Sequence, residues 1–298
     1  MKKLLNLQYD KMDSVVKNGR YVKICVEIGC GNGTFMLKYA QEHKDDLIIG
    51  FDVSSLSVVK SANLLKKNEI KNAFVLKFDA RFMGMIFEYN SIDMIFMNYP
   101  IPWIKKPKRR SHRVVTNRFV KQISKVLKTK GRFRMISDSK WYVDYVAGKF
   151  LSTEFFKLFD YHRSKEPFIN TKYEKKWLEE GRTLYWLELL NTNDRIYEKE
   201  EDVMPHIFLD KIDEDKILKI RDESFVSNDS GYIYKKSYKG REETIIKTIS
   251  VDDGFNQNYF IKIVERNGKY MVKLDDFAKP IITESVKKSI YNFRDFIE

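Results

Sequence analysis

Short apolar runs alternate with amphipathic stretches along the first two-thirds of the chain. Runs rich in β-branched and aromatic residues predict buried strands at 24–29, 47–53, 73–79, 92–99 and 132–138. Apolar residues at helical spacing predict helices between them, at 35–43, 58–68 and 119–131. The last of these helices is expected to end at its closing glycine, after a basic turn. Two further strands are expected at 155–161 and 183–190. This alternation predicts a doubly wound α/β domain around a mostly parallel, seven-stranded sheet.

The pattern changes after Leu190. Residues 192–205 are polar and charged, which predicts a linker. Beyond it, short strand-like runs separated by Asp-Asp-Gly and Asn-Gly turns occur at 231–238, 244–251, 258–265 and 269–274. A final amphipathic stretch, 284–297, predicts a helix. The chain is therefore expected to contain a first domain at 1–191, the linker, and a smaller β-rich α+β domain at 206–298.

Positive charge is concentrated in the first of these domains. The 298-residue chain has a formal net charge of +13. Residues 1–191 hold 36 Lys and Arg against 20 Asp and Glu, whereas residues 192–298 hold 19 against 22. A basic domain beside a nearly neutral one favours a polyanionic partner for the first domain. A solvated basic surface without a partner is the alternative.

Cysteine content and hydropathy exclude several classes of protein. Cys25 and Cys30 are the only cysteines, and no His stands near them at metal-ligand spacing, so we expect neither a metal site nor a disulfide framework. The apolar run at the N-terminus is too short for the core of a signal peptide. No run approaches the ~18 apolar residues that a membrane span requires. The expectation is a cytoplasmic protein that does not enter a membrane.

A glycine-rich turn follows the first strand, in VEIGCGNG at 26–33. Gly29, Gly31 and Gly33 would let the backbone approach a ligand closely where the strand passes into a helix. A dinucleotide such as NAD is one candidate ligand. The loop lacks the third glycine of the dinucleotide pattern, because Thr34 and Phe35 follow it, and this favours a ligand without a pyrophosphate. S-adenosylmethionine fits better.

Acidic residues lie in or after three successive strands beside this turn. Glu27 stands inside the first strand, where a buried carboxylate requires a donor such as the ammonium of a methionine moiety. Asp52 closes the next strand, a position suited to ribose hydroxyls. Asp79, followed by the small Ala80, suits adenine recognition at the end of the third. Asn98, where the fourth strand ends, is assigned to the same cofactor site. A tight turn with helix-capping acids is the purely structural alternative.

A dense basic segment follows the fourth strand. Six cations lie within nine residues: Lys105, Lys106, Lys108, Arg109, Arg110 and Arg113. At the mouth of the cofactor crevice these side chains can bind phosphates of a nucleic acid. Trp103 and His112 offer planar faces on which an extruded base can stack. The alternatives are a solvated basic loop and a localisation signal.

The chain resembles the bacterial tRNA (guanine-N7)-methyltransferases over roughly residues 24–190. The matching pieces are VEIGCGNG (26–33), GFDV (50–53), FDA (78–80), NYPIPWIKKPKRR (98–110), SDSKWY (137–142) and INTKYEKKW (169–177). The resemblance implies a Rossmann-like methyltransferase sheet, S-adenosylmethionine as methyl donor, and N7 of guanosine 46 in the tRNA variable loop as the target, giving 7-methylguanosine. It also implies a branch with an additional C-terminal domain. A monomer or a homodimer is expected.

The resemblance also implies roles for individual residues. Glu27, Asp52 and Asp79 would bind the methyl donor. The resemblance assigns the tRNA guanosine to Lys105, Asp138, Thr171, Lys172, Tyr173 and Glu174. The charge of the basic segment adds Lys106, Arg109, Arg110 and Arg113 as further tRNA-binding residues.

One position departs from the family pattern. The family usually has an aspartate, treated as catalytic, between the two prolines of the NYPIPW element, and Ile101 stands there instead. Guanine N7 has a free lone pair and no proton, so its methylation needs no general base, although a carboxylate would stabilise the cationic product. We expect Asp138 or Glu174 to supply this carboxylate. A catalytically impaired tRNA-binding protein that keeps the fold is the alternative.

Overall fold

The computed structural model describes residues 4–5, 21–102, 113–169, 172–195, 197, 204–227, 230–276 and 280–297. The side chains of residues 4, 5, 172 and 173 are outside this description. The chain divides into two compact units, Met1–Lys199 and Glu200–Glu298. Within the described ranges, no helix is long and apolar enough to cross a membrane.

Among the residues that the structure describes, the first unit is built on one sheet of eight strands. In chain order these are β1 Leu4–Leu5, β2 Ile24–Ile28, β3 Leu47–Asp52, β4 Ala73–Lys77, β5 Ile92–Asn98, β6 Leu127–Ser137, β7 Phe156–Ser164 and β8 Leu184–Asn191. They lie in the order β1-β4-β3-β2-β5-β6-β8-β7. All neighbours are parallel except β8, which is antiparallel to β6 and β7. Strands β2 to β8 confirm the predicted seven-stranded α/β sheet, to which β1 adds a two-residue edge.

Helices cover this sheet. They are α1 Thr34–Glu42, α2 Ser55–Lys67, α3 Asn117–Val126, α4 Lys140–Leu151 and α5 Lys172–Glu179, with a 3₁₀ helix at Ala80–Met85. Strands β2 and β3 are buried at nearly every position, as expected where both faces of a parallel sheet are covered. Side-chain caps fix the starts of α2 and α3: Ser54 accepts a bond from the Ser57 amide, and Thr116 accepts one from the Phe119 amide.

The predicted helix at 119–131 is wrong at its C-terminal end. The helix stops at Val126, and β6 begins at once with Leu127 opposite Ile92. Arg132 then lies opposite Met94, so residues 128–131 bulge out of the strand pair. Lys128 Nζ is 2.8 Å from an Asp93 carboxylate oxygen, which holds the bulge. A Cβ on Gly131 would lie 2.8 Å from the Lys128 carbonyl oxygen, so close backbone approach requires this glycine.

In its described residues, the second unit is a six-stranded antiparallel sheet with three short helices. Its strands are β9 His206–Leu209, β10 Arg221–Ser227, β11 Ser230–Lys239, β12 Glu243–Asp252, β13 Phe255–Arg266 and β14 Lys269–Leu274, in the order β10-β11-β12-β13-β14-β9. The helices are α6 Glu214–Leu218, α7 Glu284–Tyr291 and α8 Phe293–Ile297. The Asn-Gly hairpin is confirmed, because Asn267 and Gly268 both have positive φ between β13 and β14. The sequence pattern did not predict β9 and β10.

Candidate active site

The order of the strands reverses at the centre of the first sheet. Strand β2 pairs with β3 on one side and with β5 on the other, so a crevice opens at the carboxyl ends of β2 and β5. The glycine-rich turn leaves β2 at this edge, Asn98 ends β5, and Asp138 directly follows β6. The predicted site residues that follow or end β2, β5 and β6 therefore lie at one end of the sheet.

The glycine-rich turn has the backbone that the sequence predicts. Gly29, Gly31 and Gly33 have φ of +73°, +55° and +80°, a left-handed conformation that favours glycine. The Gly29 amide donates to the Phe51 carbonyl at 2.8 Å, which ties the turn to β3. A Cβ on Gly33 would lie 2.9 Å from Ser61 Cβ, whereas a Cβ on Gly29 would meet no atom within 4 Å. The space in front of Gly29 is open to a ligand.

Glu27 is a buried carboxylate with an incomplete set of donors. Its side chain is inside β2, and the residue is 3% exposed. Glu27 Oε1 accepts a hydrogen bond from Asn98 Nδ2 at 3.0 Å. Glu27 Oε2 and Asn98 Oδ1 are both buried, and neither has a partner among the described residues. Burial raises the pKa of Glu27 to about 8, an effect that the bond from Asn98 opposes and the charge of Asp52 reinforces. A cationic ligand group beside the pair would favour the ionised carboxylate and would find two acceptors there, Glu27 Oε2 and Asn98 Oδ1.

Asp52 links the loops after β2 and β3. Its Oδ2 accepts from the Gly31 amide at 3.0 Å, and its Oδ1 accepts from the Ser54 amide at 2.8 Å. Each carboxylate oxygen has a second acceptor position, so Asp52 can hold the glycine turn and bind a hydroxyl of a ligand at once.

Asp79 forms a buried ion pair with Arg81. Arg81 donates to both of its carboxylate oxygens, with Nη2 2.7 Å from Oδ2 and Nε 3.0 Å from Oδ1, and the Arg81 amide also donates to Oδ1. Asp79, Ala80 and Arg81 are all buried. The ion pair uses most of the acceptor capacity of Asp79, and its contact with adenine stays a prediction. The sequence analysis missed Arg81, although the Asp-Ala-Arg spacing was visible.

Glu174 joins two segments of the crevice wall. The residue is fully buried, and its Oε1 accepts from the Tyr99 hydroxyl at 2.5 Å and from the amides of Phe168 and Ile169 at 3.0 Å each. Tyr99 directly follows Asn98, so Glu174 connects the end of β5 to the segment before α5. These contacts lie within the protein, and a direct part of Glu174 in catalysis stays a prediction.

Asp138 is the more accessible of the two predicted catalytic carboxylates. Its side chain is 24% exposed, and its Oδ2 accepts from Arg182 Nη1 at 2.6 Å. Arg182 also pairs with Glu180, through Nη2 at 2.8 Å. The sequence analysis did not single out Arg182, which comes from the loop before β8, because its partner stands 44 residues away.

Most of the predicted tRNA-binding residues fall outside the described ranges. These are Trp103, Lys105, Lys106, Lys108, Arg109, Arg110, His112 and Thr171. Lys172 and Tyr173 belong to α5, and only their backbone is described. Ile101, in place of the usual acid, is 62% exposed. Within the described ranges, no three or more His, Cys, Asp or Glu side chains form a group that could hold a metal ion.

Arg113 is placed inside the protein. It is 9% exposed, and its Nε donates to the Pro102 carbonyl at 2.9 Å. Its guanidinium lies 4.7 Å from the ring centroid of Trp141 and 5.2 Å from that of Tyr145, both on α4. Arg113 thereby joins the two ends of the basic segment and anchors them to α4. This placement gives it a role within the fold, and its contact with tRNA stays a prediction.

Comparison with known proteins agrees with this geometry. Residues 22–187 match a family model described as a putative methyltransferase. A protein of Thermotoga maritima named tRNA (guanine-N(7)-)-methyltransferase is 31% identical, covering 91% of this chain and 88% of the relative. Relatives with the same name from Aquifex aeolicus and Campylobacter fetus are 28% and 27% identical, covering 89% and 95% of this chain and 91% and 70% of the relatives. The chain therefore belongs to the tRNA (guanine-N7)-methyltransferase family.

Proposed function

We propose that this chain transfers a methyl group from S-adenosylmethionine to N7 of a guanosine in tRNA. The observation that supports the donor most strongly is the buried Glu27–Asn98 pair, whose other two oxygens have no hydrogen-bond partner among the described residues. The names of the relatives support the substrate. The excess of positive charge in residues 1–191 suits a polyanion such as tRNA.

The residues around the glycine turn fit S-adenosylmethionine. Glu27 and Asn98 would accept hydrogen bonds from its ammonium group, and Asp52 would accept from the ribose hydroxyls. The open space at Gly29 leaves room for a ligand close to the backbone. S-adenosylmethionine, when bound, supplies an electrophilic methyl group on a sulfonium sulfur. The chain itself supplies binding and orientation.

The chemistry of N7 explains why Ile101 is compatible with transfer. The N7 lone pair attacks without loss of a proton, so the site needs no general base, and alignment of the two reactants provides most of the acceleration. Positive charge develops on the guanine ring as the bond forms. We propose that Asp138 stabilises this charge, since it is the partly exposed carboxylate at the crevice, while Glu174 positions the adjoining segment.

Asp138→Asn is therefore expected to lower kcat for tRNA by about 10- to 100-fold, because a hydrogen-bonding interaction with a charged group contributes about 1.5–3 kcal/mol. The affinity for S-adenosylhomocysteine should stay within twofold of wild type. Steady-state methyl transfer and calorimetric titration measure the two quantities. Asp144→Asn is a matched control, because Asp144 pairs with Lys140 on the exposed side of α4. Wild-type turnover by Asp138→Asn would show that Asp138 does not stabilise the transition state.

We further propose that the target is guanosine 46 in the variable loop. Transfer of labelled methyl to an unmodified tRNA transcript should fall to background when guanosine 46 alone is replaced by adenosine. A transcript with a different variable-loop guanosine replaced serves as the control. Equal incorporation into the guanosine 46 variant would assign the methyl group to another nucleotide.

A further inference from the structure

Tyr99 occupies a strained backbone position between the two halves of the crevice. It follows Asn98 of the donor site, and its φ is +53°, in the left-handed region that non-glycine residues rarely adopt. The Tyr99 amide donates to the Ile136 carbonyl at 2.8 Å, which ties this turn to β6. Such a backbone conformation persists only where surrounding contacts hold it, and at Tyr99 these contacts include those made by its own side chain.

The Tyr99 side chain is directed at the far half of the crevice. Its hydroxyl donates to Glu174 Oε1 at 2.5 Å, and its ring centroid lies 4.8 Å from that of Trp177, also on α5. Burial, followed by the neighbouring Glu174 carboxylate, raises the pKa of Tyr99 above its ordinary value, so the hydroxyl stays protonated and donates. Glu174 is fully buried and therefore depends on such donors.

Glu174 also forms hydrogen bonds with the segment before α5. The amides of Phe168 and Ile169 both donate to its carboxylate at 3.0 Å. On its other side, the Ile169 carbonyl accepts from Lys38 Nζ at 3.4 Å, and Lys38 belongs to α1, the helix that follows the glycine turn. Residues 168–169 are thus fixed between the donor half of the site and Tyr99.

We infer that Tyr99 is a positioning residue that, through Glu174, fixes residues 168–169 and the tRNA-binding motif that follows them relative to the methyl donor. The inference rests on the proposed function, because it assigns the motif at 171–174 to the tRNA. It adds to tRNA binding a residue of the NYPIPW element to which the resemblance assigned no role. The hydroxyl group of Tyr99 carries this positioning role, because the aromatic ring has no hydrogen-bond donor for the Glu174 carboxylate.

Tyr99→Phe removes this hydroxyl and keeps the ring against Trp177. We expect the KM for tRNA to rise about tenfold, because a smaller fraction of molecules holds the segment in its binding-competent position. The kcat should fall less than threefold, and the Kd for S-adenosylhomocysteine should stay within twofold of wild type. Tyr161→Phe is the matched control: it also removes a tyrosine–carboxylate bond, to Asp144 at 2.8 Å, on an exposed strand. The KM of Tyr161→Phe for tRNA should equal that of wild type.

An unchanged KM in Tyr99→Phe would overturn the inference. So would a parallel loss of S-adenosylhomocysteine affinity, which would make Tyr99 a support of the donor site or of the whole fold. Hydrogen exchange of the Phe168 and Ile169 amides gives a second test that needs no tRNA. These amides should exchange faster in Tyr99→Phe than in wild type and in Tyr161→Phe, and equal exchange would contradict the inference. Failure of the wild-type protein to bind or methylate tRNA would instead contradict the proposed function.

Discussion

Glu27→Gln is expected to weaken the binding of S-adenosylhomocysteine by about 100-fold. The variant keeps the shape of the side chain but replaces a charged acceptor with a neutral amide, and a hydrogen bond to a charged group contributes about 1.5–3 kcal/mol. Glu27 Oε2 is buried without a partner among the described residues, so the ligand ammonium would be its principal donor. Isothermal titration measures the affinity. An affinity within threefold of wild type would show that the donor does not contact Glu27.

The same carboxylate makes stability depend on pH in a defined direction. Burial raises the pKa of Glu27 from 4.5 to about 8, so the folded protein retains a proton that the unfolded chain releases. The contribution of Glu27 to the free energy of unfolding therefore falls as pH rises from about 4.5 to about 8, because at this residue the folded state binds more protons. Glu27→Gln cannot lose a proton, and urea unfolding should show it gaining stability relative to wild type between pH 6 and pH 9.

The affinity for the ligand should depend on pH in the opposite direction. The donor ammonium favours the ionised carboxylate, so the affinity of wild type for S-adenosylhomocysteine should increase between pH 6 and pH 8. Glu27→Gln should lack this increase. A wild-type affinity that falls over this range would contradict the assigned pairing of Glu27 with the ammonium group.

Glu174→Ala is expected to lower the free energy of unfolding by about 3 kcal/mol and tRNA turnover by more than 100-fold. Removing the carboxylate leaves the Tyr99 hydroxyl and the amides of Phe168 and Ile169 without their acceptor, and each buried donor left unsatisfied costs about 1–3 kcal/mol. The tRNA-binding segment then loses its fixed position. Urea unfolding and steady-state methyl transfer measure the two effects at a temperature where the variant is folded.

A matched control for this variant lies on the same helix. Glu179 is exposed at the C-terminal end of α5, so Glu179→Ala should change neither stability nor turnover appreciably. S-adenosylhomocysteine affinity should stay close to wild type in both variants. Wild-type stability of Glu174→Ala would show that its donors find other acceptors, and wild-type turnover would exclude a positioning role.

The sequence predicted those parts of the site that depend on local pattern. The period of apolar residues located strands β2 to β8 of the first sheet. The spacing of Gly29, Gly31 and Gly33 predicted a strand-to-helix turn, where all three glycines have positive φ. These features are set by residues close in the chain. The sequence failed where a bulge replaced a helix end, because Lys128 and Asp93 are held together by strand pairing that the local pattern does not contain.

Side-chain partners were harder to predict than positions. Glu27 and Asn98 are 71 residues apart, and Tyr99 and Glu174 are 75 apart, so their bonds exist only once the sheet has formed. For the same reason, sequence reasoning assigned Arg113 to tRNA without predicting its contacts with Pro102, Trp141 and Tyr145 within the fold. Charge alone does not distinguish a binding residue from one that is paired internally.

Methyl transfer to an unmodified tRNA transcript tests the central claim most directly. The protein is incubated with labelled S-adenosylmethionine and the transcript, and the RNA is then cleaved chemically at 7-methylguanosine. The proposed function predicts stoichiometric incorporation and a single cleavage in the variable loop, which would show that Ile101 is compatible with catalysis. Salt-sensitive binding of tRNA without any transfer would contradict the claim and identify the chain as a tRNA-binding protein that has lost the reaction.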